Sequence, residues 1–199
     1  SLARTLGKHR RWLEGRGRLT IEVLRERGDV ISAFESLVGF LRARWQGATH
    51  RSALDDPRAQ RFHRHVLPLL LGEGRLRMLR VTSDLRTVAV FYGIASARWW
   101  GYYLAGYDRE WAGRIHLGQL TLAAAIDAAA REGAMEFDFL KGVERVKYLW
   151  PVRDRITMDA DVYSAQPASQ FARAGHATRT VAAALVKSAR GLFLTTGHR

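Results

Sequence analysis

Side chains that can move protons lie close together in residues 138–148. Asp138 comes near the end of a short apolar segment, and Glu144, Lys147 and Tyr148 follow it within ten residues. A carboxylate near the end of a strand is suited to hold or deprotonate an amine or a hydroxyl. The alternative is a structural role, in which Asp138 accepts hydrogen bonds from backbone N–H groups or from Lys141. The spacing i, i+3, i+4 puts Glu144, Lys147 and Tyr148 on one face of a predicted helix. All four are candidate catalytic residues, and the alternative for Glu144 and Lys147 is an exposed ion pair of about 0.2–0.5 kcal/mol.

Upstream, a short loop leads into an alanine-rich helix that has a glycine in its first turn. A glycine there lets a ligand approach backbone N–H groups that have no partner within the helix. The loop therefore predicts a site for an anionic group such as a cofactor phosphate, and the alternative is an ordinary loop that enters a buried helix. The candidate cofactor-binding residues are Arg114, His116, Leu117, Gly118, Gln119 and Leu120.

One predicted strand, residues 98–107, is crowded with aromatic side chains. Alternation along the strand predicts Trp99, Tyr103 and Tyr107 on one face and two further aromatic residues on the other. Aromatic rings combine apolar area with a polar handle, so the first face is a candidate to stack on a sugar or to line an acyl pocket. Packing in the core is the alternative for each single ring. A glycine in this strand indicates close approach of a ligand or of backbone.

Hydrophobic periodicity predicts the elements that must position these residues. A central, mostly antiparallel sheet with helices on its faces is the α+β architecture that their order favours. The predicted helices are 2–13, 28–45, 55–71, 117–132, 142–150 and 168–193, and the predicted strands are 19–24, 75–81, 87–97, 98–107, 135–140 and 156–163.

Composition excludes several kinds of chemistry. The 199 residues are 47% hydrophobic and contain no cysteine, so a globular chain without disulfides, a thiolate nucleophile or a cysteine zinc site is expected. No metal site is predicted, because His63 and His65 are two apart on a predicted helix and cannot face one ion. No apolar run approaches the roughly 20 residues that span a bilayer.

The net charge of +13 is concentrated at the two ends. Residues 1–27 hold 8 Lys/Arg and 3 Asp/Glu, and residues 165–199 hold 5 and none, so each end carries +5. We predict a basic N-terminal helix and linker (1–17), a catalytic domain (18–164) and a basic C-terminal helix (165–199). Basic ends suit an anionic membrane surface, a nucleic acid or an acidic partner, and solvated helix faces are the alternative.

The motif at residues 138–150 resembles a known signature. Asp138-Phe139-Leu140-Lys141-Gly142, followed by Glu144, Lys147-Tyr148 and Trp150, is similar to the D-F-L-(R/K)-G-x-E-x-x-K-Y-x-W pattern of a branch of the GNAT acyltransferase superfamily. This branch is associated with bacterial cellulose and envelope polysaccharide synthesis and is related to Fem-type transferases. Two positions depart from it: Val146 stands where a Tyr is common, and His116-Leu117-Gly118 replaces a Ser-Pro-Gly-like turn.

The resemblance implies a GNAT fold in which strands 98–107 and 135–140 splay apart to admit acetyl-CoA or another acyl-CoA. It also implies Tyr148 as the proton donor to the departing thiolate and Lys147 beside the reacting carbonyl. The expected reaction is direct transfer of the acyl group to an amine or hydroxyl, with a sugar of an envelope polysaccharide as a candidate acceptor.

Two other functions stay open at this point. One is a Fem-like transferase that takes an aminoacyl group from tRNA, and the other is a non-catalytic module that binds an acidic partner or a membrane surface. The expected location is the bacterial cytoplasm, including the surface of the inner membrane. Because the chain begins at Ser1 without Met, we expect a truncated or processed protein.

Overall fold

The computed structural model describes residues 19–46, 54–111, 115–142 and 144–156, together with Ser52 and single positions within 4–15 and 158–169. Contacts divide the chain into two units, residues 1–152 and 153–199, and every helix and strand below belongs to the first. The five strands are β1 (Leu19–Val23), β2 (Leu76–Ser83), β3 (Arg86–Ser96), β4 (Trp99–Tyr107) and β5 (Glu136–Asp138). The three α-helices are α1 (Arg27–Trp45), α2 (Pro57–Gly72) and α3 (Leu117–Arg131).

The strands form one sheet in the order of the sequence. β1, β2, β3 and β4 pair antiparallel, and β5 joins the far edge of β4 in parallel. The long crossover between β4 and β5 contains α3, as a parallel connection requires. The predicted α+β architecture with a mostly antiparallel sheet is therefore confirmed.

The helices cover opposite faces of the sheet. Phe34 and Leu37 of α1 pack with Leu67 of α2 against Met78 and Tyr92 on one face. On the other face, the alanine-rich α3 packs against Leu79, Phe91 and Trp100. Small side chains at Ala125 and Ala129 let this helix approach the sheet closely, and both are buried.

Local sequence explains where the helices and hairpins begin and end. Asp56 caps α2 by accepting a hydrogen bond from the N–H of Arg58 at 2.8 Å, and Pro57 occupies the first helical position. The turn between β2 and β3 has Asp84 at φ 50° and Leu85 at φ 65°. Two successive residues with positive φ form the hairpin turn that matches the twist of the strands.

Three predicted elements differ from the structure or lie outside it. The predicted helix 142–150 is wrong: of its described residues, only Lys147–Leu149 form a 3-10 turn. The predicted strand 156–163 is absent at its described positions, 156, 158, 162 and 163.

The two ends of the chain are described only in part. Positions 4, 7, 8, 10, 11 and 14 are helical, whereas almost all of residues 165–199 lies outside the described residues. The predicted domain boundaries therefore stay predictions. No helix in the described part of the chain is long and apolar enough to cross a membrane.

Candidate active site

The parallel pair of β4 and β5 is short. Trp99, Trp100 and Gly101 pair with Glu136, Phe137 and Asp138, and the pairing ends there. β4 continues for six more residues, so within the described part of the chain no strand lies beside its edge at residues 102–107. The unpaired N–H and C=O groups of such an edge can pair with an extended ligand.

The first turn of α3 belongs to the connection between β4 and β5, next to the unpaired edge of β4. His116 is the residue before the helix, and the first N–H that finds a helical partner is that of Leu120, which donates to His116 O at 3.0 Å. The N–H groups of residues 117–119 precede it and have no backbone partner among the described residues, so they are candidates to bind an anion. The side chains of Leu117 and Leu120 are buried in the core, so only their backbone can contact a cofactor. His116 is exposed and Gln119 half-buried, and Arg114 lies outside the described residues.

An arginine that the sequence analysis did not single out stands near this turn. The ring of Tyr107 lies against Gly118, where an added Cβ would be 3.2 Å from Cε1 of the ring. The guanidinium carbon of Arg44, at the end of α1, lies 5.8 Å from the centre of the same ring. Burial raises the pKa of Tyr102, and the positive charge of Arg44 opposes that rise, which puts Arg44 near the open edge of β4 as well.

Asp138 ends β5 on the face opposite α3. Its parallel partner is Gly101, whereas the neighbouring Phe137 and Phe139 pack on the α3 side. Oδ1 of Asp138 accepts a hydrogen bond from the N–H of Leu140 at 2.7 Å, and Leu140 itself has φ 55°. Asp138 therefore stabilises the turn that ends the strand, while its half-buried carboxylate stands where β4 and β5 part.

Lys147 is buried in the turn that follows β5. Its ammonium donates to Lys141 O at 3.0 Å and to Gly142 O at 3.4 Å, and it lies 2.7 Å from Oε2 of Glu144. Glu144 and Lys147 thus form an ion pair, which was the alternative to a catalytic role. The pair is not on a solvated helix face, because the side chain of Lys147 is only 9% exposed. An ammonium has three N–H groups, and these three oxygens account for all of them. The hydrogen bond from Lys147 holds the pKa of Glu144 below its usual value.

The same turn explains why the predicted helix does not form. Gly142 has φ 120°, and a Cβ there would lie 2.5 Å from a carboxylate oxygen of Glu144. Trp150 is extended, as expected for a residue before proline. Between these two points the described residues form one 3-10 turn, in which Tyr148 is 47% exposed.

A bulge changes the predicted faces of the aromatic strand. Tyr92 of β3 pairs with Leu104, but the next residue, Gly93, pairs with Tyr102. Tyr103 is therefore an extra residue on β4, and the alternation of faces reverses beyond it.

The predicted grouping of Trp99, Tyr103 and Tyr107 is wrong for this reason. Tyr103 points to the α1/α2 face, where its ring centre lies 5.1 Å from that of Tyr92, while Tyr107 packs on the α3 side. Trp99 covers Gly101, whose added Cβ would lie 2.4 Å from the indole. The close approach that Gly101 allows is therefore that of the Trp99 side chain.

Sequence reasoning treated His63 only as a possible metal ligand and missed its place in the structure. It is 5% exposed, with Nδ1 3.3 Å from the hydroxyl of Tyr92 and Nε2 3.3 Å from that of Tyr103. Burial lowers its pKa. Its spacing from Gln60 and Leu67, which are also buried, is the helical signal that predicts burial of His63. In the described residues, no group of three His, Cys, Asp or Glu side chains is arranged to hold a metal ion.

The family model described as an acetyltransferase (GNAT) domain matches residues 1–148, about three quarters of the chain. The chain belongs to the GNAT acetyltransferase family. It is therefore an acetyltransferase that uses acetyl-CoA or another acyl-CoA, as the sequence predicts. The narrower resemblance to the branch associated with polysaccharide synthesis stays a prediction. No curated protein matches the sequence.

Two solved structures are similar to this chain, and the first supports the fold. The aminoglycoside acetyltransferase meta-AAC0020 from an uncultured soil metagenomic sample, in complex with sisomicin, is 14% identical, with a TM-score of 0.51 over 73% of this chain and 97% of that one. AAC(6')-Iy in complex with a bisubstrate analogue is 11% identical, with a TM-score of 0.49 over 73% of this chain and 99% of that one.

Proposed function

We propose that this GNAT acetyltransferase transfers the acetyl group of acetyl-CoA directly to an amine or hydroxyl of a sugar, such as a sugar of an envelope polysaccharide. The observation that carries the proposal is the open edge of β4 at residues 102–107, with the first turn of α3 beside it. One end of this opening suits an extended chain of amides and the other suits phosphates.

The cofactor would lie along this opening. The amides of its pantetheine arm would pair with the edge of β4 as an added strand does. Its pyrophosphate would accept hydrogen bonds from the N–H groups of the first turn of α3, near Gly118 and Tyr107. Arg44 would add a positive charge at that end. In this orientation the thioester lies at the opposite end, next to Gly101, where β4 and β5 part.

The acceptor would lie on the α1/α2 face of the sheet. Trp99, Tyr103 and Asp138 share that face beside the proposed thioester end. Asp138 would hold the nucleophile or take its proton, and the two aromatic rings would contact a sugar. Tyr107 lies on the other face, so its contribution moves from the acceptor to the cofactor.

Direct transfer needs no covalent enzyme intermediate, and the chain has no cysteine to form a thioester. The acceptor attacks the thioester carbonyl, and the departing thiolate takes a proton. Tyr148, exposed on the turn after β5, is the proposed donor of that proton. Lys147 would act by shaping this turn together with Glu144, since its ammonium is engaged by three oxygens.

The basic ends suit an anionic partner, and we propose that residues 165–199 supply part of such a contact, with an inner-membrane surface or tRNA as candidates. Binding to anionic vesicles and to RNA, compared for the full chain and for a chain without residues 166–199, tests this. Equal binding by both chains would contradict it.

The experiment that tests the proposed activity is a thiol-release assay with acetyl-CoA and a panel of acceptors: amino sugars, neutral sugars, alkyl amines and peptides. We expect coenzyme A release that depends on an amino or neutral sugar, with the acetyl group recovered on it by mass spectrometry. Release that depends only on peptides would contradict the sugar acceptor and leave the acetyltransferase assignment intact.

A further inference from the structure

A chain of three polar side chains runs from the core to the proposed acceptor face. Tyr92 is 2% exposed, His63 is 5% exposed and Tyr103 is 39% exposed. The hydroxyls of Tyr92 and Tyr103 lie 3.3 Å from the two ring nitrogens of His63. Only the outer hydroxyl, that of Tyr103, belongs to a side chain with substantial exposure.

Aromatic side chains surround His63 in the described part of the protein. Phe34 from α1 and Phe62 from α2 contact the imidazole, and Tyr92 and Tyr103 contact it from β3 and β4. No charged side chain in the described part of the protein forms a hydrogen bond or ion pair with it. The adjacent Arg64 is directed to Glu35, at 2.7 Å. Burial alone lowers the pKa of His63, so the imidazole is neutral near pH 7.

Hydrogen-bond accounting then sets the direction of the chain. A neutral imidazole has one N–H and one acceptor nitrogen. The only hydrogen-bond partner of the buried Tyr92 hydroxyl among the described residues is Nδ1 of His63. If Nδ1 carried the proton, the O–H of Tyr92 would be buried without an acceptor, which is costly. Tyr92 therefore donates to Nδ1, and Nε2–H donates to the oxygen of Tyr103. The O–H of Tyr103 is then left without an acceptor among the described residues. Burial raises the pKa of Tyr92 to about 12, so its hydroxyl keeps its proton.

We propose that Tyr103 is a specificity-determining residue whose hydroxyl, oriented by His63 and Tyr92, donates a hydrogen bond to an oxygen of a polyhydroxylated acceptor. This inference rests on the proposed function and narrows it. A hydrogen-bond donor with a fixed direction binds a sugar hydroxyl or ring oxygen. It neither repels an alkyl ammonium nor forms a hydrogen bond with it. His63 acts through Tyr103 and is a positioning residue.

The first test reads the direction of the chain and needs no acceptor. Nitrogen-15 NMR of the 199-residue protein labelled at histidine distinguishes the two imidazole tautomers. We expect His63 with a protonated Nε2 and an unprotonated Nδ1, and we expect Tyr92→Phe to shift that balance toward a protonated Nδ1. A protonated Nδ1 in the unmodified protein would overturn the proposal.

The second test compares glucosamine with cyclohexylamine, a six-membered-ring amine that lacks the oxygens, as acceptors and as ligands of the coenzyme A complex. Removing one partner of a hydrogen bond weakens binding by roughly 10-fold. Tyr103→Phe and His63→Gln should each raise the KM or Kd for glucosamine by about that factor, with less change in kcat and none for cyclohexylamine. His65→Gln, which changes an exposed histidine on the same helix, is the matched control and should behave as the unmodified protein.

The outcomes separate this inference from the proposed function. Acetyl-CoA binding by the unmodified chain tests the cofactor site. If the unmodified chain did not bind acetyl-CoA, both the proposed function and the role of Tyr103 would be contradicted. Intact acetyl-CoA binding with no binding of glucosamine, or with equal losses for both amines in Tyr103→Phe, would overturn the role of Tyr103 alone. Equal melting temperatures of His63→Gln and His65→Gln would exclude misfolding as the cause of any difference.

Discussion

Lys147 shows how burial changes the role that a residue type suggests. An ammonium next to a reacting carbonyl could stabilise an oxyanion, but this one is 7% exposed and surrounded by Lys141 O, Gly142 O and the carboxylate of Glu144. Breaking such a buried arrangement leaves polar groups without partners. The residue is therefore expected to control the shape of the turn that carries Tyr148.

Substitution at Lys147 and Tyr148 should separate structure from catalysis. Lys147→Met should lower the free energy of unfolding by about 1–3 kcal/mol, because two carbonyls and a carboxylate lose their donor. Tyr148→Phe should leave the melting temperature unchanged and lower kcat by about 10²–10⁴, the usual effect of losing a positioned acid. Thermal unfolding and thiol release measure the two effects. Full activity in Tyr148→Phe would remove it as the proton donor.

Arg44 offers a second test at the level of one side chain. Its guanidinium lies by Tyr107 and Tyr102, next to the proposed phosphate end of the cofactor. Arg44→Gln should weaken coenzyme A binding about 3- to 10-fold, and less at high salt, because a partly screened charge is lost. Arg42→Gln, also exposed in the last turn of α1, is the control. Equal affinities of the two variants would take Arg44 out of the cofactor site.

Elements with regular patterns were predictable, and those fixed by single side chains were not. The three helices and the first four strands have repeated apolar spacing, so their predicted bounds agree with the structure within a few residues. The turn after β5 depends instead on the φ of Gly142 and on the ammonium of Lys147, which no periodicity records. The faces of β4 depend on a bulge at Tyr103, which reverses the alternation after one residue. The chain of His63 with two tyrosines joins three elements and could not be predicted from any one of them.

The hairpin between β2 and β3 carries a residue that is poorly suited to its turn. Leu85 has φ 65° and is 92% exposed, so it bears the cost of a left-handed backbone without gaining burial. Leu85→Gly should stabilise the protein by about 0.5–1 kcal/mol and raise the melting temperature by a few degrees. The neighbouring Arg86→Gly should not stabilise the protein, because Arg86 forms ion pairs with Asp108 and Glu110. An unchanged or lower melting temperature of Leu85→Gly would contradict this account of the turn.

At the scale of the whole molecule, the buried His63 couples stability to pH. Its pKa is lowered in the folded state by burial, so the unfolded chain binds a proton more readily. Folding stability should therefore fall as the pH decreases through the unfolded value of about 6.5 toward the lower folded value, and it should be constant above that window. Urea unfolding of the unmodified protein and of His63→Gln between pH 5 and 8 measures this. Identical pH dependence in the two proteins would show that His63 is not the group responsible.

The central proposal for the whole molecule is that an acyl-CoA lies between β4 and β5, with its phosphates on the first turn of α3. Isothermal titration with acetyl-CoA tests it most directly, comparing the unmodified protein with Gly118→Asp and, as a control for size, Gly118→Ala. An added Cβ would be 3.2 Å from the ring of Tyr107, so Ala should weaken binding slightly. Asp adds a negative charge where the pyrophosphate should lie and should weaken binding more than 10-fold beyond Ala, about 1.4 kcal/mol or more. Equal affinity of all three proteins would contradict a phosphate site at this helix.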